Sequence, residues 1–211
     1  MSTRVFSKKE EVAHAVTHGI GVLFSLVALL FLIMFSQVSG SAVLISSVIV
    51  FGTTMLLMYL SSTIVHSLPQ GKWKDSFLVI DHAAIYIFIA GSYTPFALII
   101  IEGTLGWALF AAVWSLAIIG IVLKLFFVRR FVFLSTLFYV LMGWLIVVVW
   151  NPLTESIHPD GLLLLTLGGI IYTIGSIFYI WKFIPFHHMI WHIFVLIGSC
   201  FHFFAILFYV I

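Results

Sequence analysis

Charge is what this sequence has least of. Only 8% of its 211 residues are Asp, Glu, Lys or Arg, where a soluble domain carries about 25%. So small a stock could not cover the surface of a soluble fold. Nine basic and seven acidic residues leave a net charge of +2, which points away from a nucleic-acid partner. Cysteine occurs once, at Cys200 inside an apolar stretch. No intrachain disulfide can form, and the thiol reads as a packing group. The charged start MSTRVFSKKEEVAH is not followed by a short apolar core and a small-residue cleavage site. The first apolar run is too long for a signal peptide and reads as a retained helix. The short alternating segments of a β-barrel are missing. No internal repeat of the kind found in inverted-repeat transporters is evident.

Apolar residues are abundant, at 64%. A helix needs about 20 of them to cross the hydrocarbon core, and seven such helices with short loops nearly exhaust the length. The expected fold is an all-α membrane protein, a seven-transmembrane helix bundle. It forms one domain over residues 14–211 behind a short N-terminal segment, 1–13. The helices are expected at about 14–35, 43–66, 77–101, 107–127, 131–150, 162–183 and 187–210. Pro69 lies beyond the second, where it cannot continue a helix. The stretch NPLTESIHPDG after the fifth reads as a loop.

With that spacing, Arg4, Lys8, Lys9, Lys72, Lys74, Lys124, Arg129, Arg130 and Lys182 all fall on one side. The opposite connections hold Glu102, Glu155 and Asp160. The positive-inside rule makes the basic side cytoplasmic. The N-terminus is then cytoplasmic, the C-terminus extracytoplasmic, and the expected location the plasma membrane. Trp107, Trp150 and Trp181 near helix ends read as an interfacial belt.

The polar residues within the helices gather at the basic ends. His14 and His18 open the first helix, Ser62 and His66 close the second, Asp81 and His82 open the third, and His187, His188 and His192 open the seventh. His188 and His192 are four residues apart and share a face; so do Ser62 and His66. A histidine pair one turn apart, plus one histidine from a second helix, is the donor set of a catalytic zinc that keeps a position for water. A carboxylate in a membrane helix costs on the order of 3 kcal/mol. A hydrogen bond to such a water or to a ligand histidine would offset the cost of Asp81. Plainer readings stand beside these. The histidines could be hydrogen-bonded at the interface, Asp81 could favour its helix dipole, and Ser62 could bond its own helix. His14 is expected to be an ordinary interfacial residue, while His18 could line the mouth of a cavity. His82 and His187 point about 100° away from their neighbours and are not expected as ligands. His202 lies roughly 15 Å beyond His192 along the helix, too far for the same ion, and could line an internal cavity with Ser199.

SSTIVHS, DHAAIYIFIAGSYTPF and HHMIWHIFVLIGSCFHF, together with the opening HAVTHGIG, resemble the motifs of the bacterial haemolysin III family. That family groups with the progestin and adiponectin receptors. The resemblance covers essentially the whole chain in the right order. It implies a zinc ion near the cytoplasmic face, with His66, His188 and His192 at the ligand positions. Asp81 falls where the family holds a zinc-bound water, and Ser62 matches the serine one turn before the first ligand. Relatives in this superfamily include ceramidases, which hydrolyse lipid amides.

Three functions are therefore expected as rivals. The first is a zinc-dependent hydrolase of a lipid amide or ester, with membrane lipids as environment and substrate and Asp81 as base. The second is a haemolysin-like pore or membrane-perturbing protein, disfavoured because the far helix halves carry few polar residues to line a water path. The third is a membrane protein with a structural zinc that regulates membrane homeostasis.

Overall fold

A computed structural model describes residues 6–211. Arg4, counted above among the basic residues of one side, lies outside the described residues. Among the described residues, seven helices are long and apolar enough to cross a membrane: α1 (Lys8–Ser39), α2 (Ala42–Ser67), α3 (Lys72–Ile101), α4 (Gly103–Phe127), α5 (Val132–Ser156), α6 (Pro159–Ile180) and α7 (His187–Tyr209). No strand occurs among these residues. The chain is an all-helical, multi-pass membrane protein.

Neighbours in sequence pack as neighbours in space, and α1 also packs against α7. The bundle thus closes on itself, and α2, α3 and α7 bury the largest share of their surfaces. The core between them holds Phe51, Met55, Tyr59, Phe88 and Ile206, all nearly inaccessible. The outward faces of α1, α4 and α5 expose Leu23, Leu30, Phe126, Leu134 and Val148. That inversion of a soluble surface is what a lipid environment stabilises.

Two departures from expectation bear on the site. First, α1 begins at Lys8, six residues before the expected start. Ser7 is its N-cap: the Ser7 hydroxyl accepts from the Glu10 amide at 3.3 Å, and the Glu10 carboxylate accepts from the Ser7 amide at 2.9 Å. This reciprocal capping box satisfies two otherwise orphaned donors and carries the helix down to Lys8. Second, the stretch after Trp150 is helical through Ser156 instead of a loop, as the last part of α5. In between, α5 breaks at Gly143 and continues through a tight turn of 3₁₀ helix, Leu145–Val149. Backbone groups freed inside a membrane need partners. The Tyr93 hydroxyl supplies them from α3, donating to the Gly143 carbonyl at 2.6 Å and accepting from the Ile146 amide at 2.9 Å.

Candidate metal centre

The basic ends of α1, α2, α3 and α7 converge and bring the rings of the three predicted ligands near one another. The rings of His66 and His188 lie 5.1 Å apart, His66 and His192 5.3 Å, and His188 and His192 4.5 Å between centroids. The group whose donor atoms converge is His14, His66 and His188, with His14 present against expectation and His192 outside it. His14 is fully buried within the protein, nearly two turns into α1. Ligand atoms of His14, His66 and His188 all lie within 4.8 Å of one another. This cluster of three imidazoles could hold a metal ion.

Each neighbour of the cluster has a physical reason to be there. The Nδ1 of His66 is 2.7 Å from Glu11 Oε2, and Lys74 Nζ lies 2.9 Å from Glu11 Oε1. A carboxylate on one ring nitrogen fixes the ring and leaves the other nitrogen for an ion. Sequence reasoning missed Glu11, which looks there like a terminal charge. Across the bundle, His192 Nδ1 sits 3.2 Å from the Thr17 hydroxyl and 3.3 Å from the His14 carbonyl, leaving Nε2 as its available donor. Phe6 covers the cluster, edge-on to the His14 ring at 4.7 Å and tilted against that of His188 at 5.3 Å.

The remaining histidines are accounted for differently. Nδ1 of His82 is 2.8 Å from the Leu78 carbonyl and its Nε2 is 3.1 Å from the Tyr179 hydroxyl, so both nitrogens are engaged. His187 Nδ1 donates to the Phe178 carbonyl at 3.1 Å. Neither residue belongs to the converging donor group among the described residues. His18 stacks flat on His192, at 3.4 Å and 13°. Ser62 is buried and lines the same cavity as Asp81.

Asp81 occupies a particular place. A cavity runs from the cluster into the bundle between α3, α5, α6 and α7, lined by Asp81, Ser62, His188, His192 and, further along, Phe88, Val195 and Leu165. A second cavity opens beside Phe6, Gln70 and Arg129. Asp81, His82, Tyr179 and His188 stand in the walls of both, as the partition between them. His202 lines the inner cavity at its far end. Ser199 is fully buried nearby, accepting from Tyr59 at 2.7 Å and bonded to Tyr172 at 2.9 Å.

The donor set fits zinc. Neutral imidazoles with a carboxylate at hand are what that ion takes. Both ring nitrogens of His14 are buried without a hydrogen-bond partner among the described residues, a cost of about 1–3 kcal/mol each that coordination would relieve at one of them.

The fold and this polyhistidine centre define a class: a seven-helix membrane protein with a potential metal site at one end of its bundle. Comparison with known proteins sharpens it. The family model for haemolysin-III-related proteins matches residues 6–203. The hemolysin-3 homolog of Bacillus subtilis is 57% identical over 97% of this chain and 96% of its own length. Hemolysin-3 of Bacillus cereus is 51% identical over 96% and 93%. The human monocyte to macrophage differentiation factor is 30% identical over 74% and 67%. No solved structure matches the chain. The chain belongs to the haemolysin III family, within the progestin and adiponectin receptor superfamily.

Proposed function

We propose that this protein is a zinc-dependent hydrolase of a lipid amide or ester, working at the cytoplasmic face of the plasma membrane. His66, His188 and His192 are the ligands of the working site. The observation that carries this reading is the position of Asp81: a carboxylate that shares a cavity wall with Ser62, His188 and His192, at the head of a mostly apolar cavity. Zinc, when bound there, supplies a Lewis acid and lowers the pKa of a water to about 7.

The chain's own residues do the rest. Glu11 orients His66 through Nδ1. Asp81 accepts the proton of the attacking water as general base, with the Ser62 hydroxyl in the same cavity wall. Phe88, Val195 and Leu165 give an acyl chain an apolar wall, so a lipid substrate keeps its tail out of water throughout.

Asp81→Asn tests the assignment. The amide keeps the shape but cannot take a proton. Zinc content should hold while turnover of lipid amides and esters, assayed by mass spectrometry in nanodiscs, falls about 10²–10⁴-fold. Undiminished turnover would remove Asp81 as the base. Lysis of erythrocytes by the purified protein, unaffected by loss of His188, would favour the pore reading instead.

A further inference from the structure

His202 sits deep in the bundle, about 22 Å along α7 from His187 and past the middle of a hydrocarbon core about 30 Å thick. An ionisable side chain at that depth is rare and needs a partner. Half of that need is met by the protein. His202 Nδ1 lies 3.0 Å from the Gly198 carbonyl. A carbonyl only accepts, so Nδ1 carries the proton. The apolar interior keeps the ring neutral, and Nε2 is then an acceptor.

Nε2 makes no hydrogen bond among the described residues. It differs from the unpartnered nitrogens of His14 and His18, which are fully enclosed by protein. His202 keeps 8% of its surface accessible and lines the far end of the inner cavity. The ring is also held in place. A Cβ at Gly168 would overlap His202 Nδ1, and one at Gly198 would overlap the ring of Tyr172, so the two glycines let α6 and α7 close on it. Tyr172 lines the same cavity, with its ring 5.3 Å from that of His202. Ser199 Oγ accepts from Tyr59 and donates to the Val195 carbonyl at 2.9 Å, so Tyr172 donates to Ser199 and has no proton left to give. His202 and Tyr172 therefore offer lone pairs only.

We propose that His202 anchors the far end of the lipid's tail, accepting a hydrogen bond at Nε2 from a hydroxyl that the tail carries. This deepens the hydrolase reading: it rests on the inner cavity taking a lipid tail, and it is independent of the metal. Geometry sets the length. Roughly 15 Å along α7 separates His202 from His192. A zigzag chain with bonds of about 1.5 Å advances about 1.25 Å per carbon, so about twelve carbons join a carbonyl at the histidines to a hydroxyl at His202. An unsubstituted tail of that length leaves Nε2 unpaired in an apolar wall, and a site built to bond a hydroxyl discriminates against the ligand that lacks it. The preferred substrates are amides or esters of acyl chains hydroxylated at that distance.

Isothermal titration calorimetry on the full chain in detergent tests this with three free acids, the acyl products of such a hydrolysis. They are dodecanoic acid, its terminally hydroxylated form and the form hydroxylated at mid-chain. The terminal hydroxyl should tighten binding about fivefold, the effect of one net hydrogen bond, and the mid-chain hydroxyl should not. In His202→Leu the terminal advantage should vanish while dodecanoic acid still binds. The wild-type series decides the matter without the variant, should His202→Leu fail to fold. A terminal hydroxyl with no advantage over the other two forms, or an advantage that survives His202→Leu, would overturn the anchor and leave the hydrolase reading standing. Binding of none of the three acids would overturn the anchor together with the tail-binding cavity. Zinc content, measured on the same sample, reports separately on the metal.

Discussion

Glu11 acts on the cluster only through His66, yet its geometry is among the tightest at the site, 2.7 Å from Nδ1 with Lys74 on its other oxygen. Replacing it with Gln removes the charge and keeps the shape. Outer partners of this kind typically contribute 10–100-fold to metal affinity. Glu11→Gln should therefore weaken zinc by that factor in a competition with a chromophoric chelator, while the Tm of the metal-free protein stays unchanged. A variant with wild-type affinity would show that the contact does not orient a ligand. Sequence reasoning passed over Glu11 and assigned His14 to the interface, for one reason. Both were placed at or before the start of α1, where charge and histidine are commonplace. The signal was present in Ser7 and Glu10, whose spacing is that of a capping box. By contrast, His66, His188, His192 and Asp81 were legible because helical periodicity and helix ends place them at one level without any tertiary information.

At the scale of elements, the site depends on how closely α1 approaches α2. Gly21 makes that approach possible: a Cβ there would overlap the ring of Tyr59, which is itself fully buried and bonded to Ser199 on α7. The Tyr59 ring cannot retreat without breaking that bond. Gly21→Ala should cost about 1–3 kcal/mol as overpacking, read as a lower Tm in detergent, and should weaken zinc as His14 moves off the cluster. An unchanged Tm would mean that the two helices are loosely held. Helix existence followed from apolar length alone, but helix ends did not. The stretch from Asn151 carries Pro, Asn and Asp and resembled a loop. It remains helical through Ser156, where a proline in the first turn of a helix costs little because its missing amide has no intrahelical partner there.

At the scale of the whole molecule, charge asymmetry is the main guide to orientation. The described basic residues cluster at the end of the bundle that carries the histidines, and Glu102, Glu155 and Asp160 lie toward the other. If the basic end is cytoplasmic, alkaline phosphatase fused after Ile211 should be active and a fluorescent protein at the same point dark. The opposite pattern would turn the site to the outside and end the cytoplasmic reading. Seven helices and their order were open to sequence reasoning because a membrane leaves few alternatives. The cavity between α3, α5, α6 and α7 was not, since its walls depend on the break in α5 and on which rings face inward. The central claim is that this end of the bundle holds a metal. Elemental mass spectrometry of the purified, detergent-solubilised protein, beside a His188→Ala, His192→Ala double variant, measures it directly. The account predicts about one zinc per chain, lost in the variant; a wild-type protein without zinc after incubation with the ion at neutral pH would contradict it.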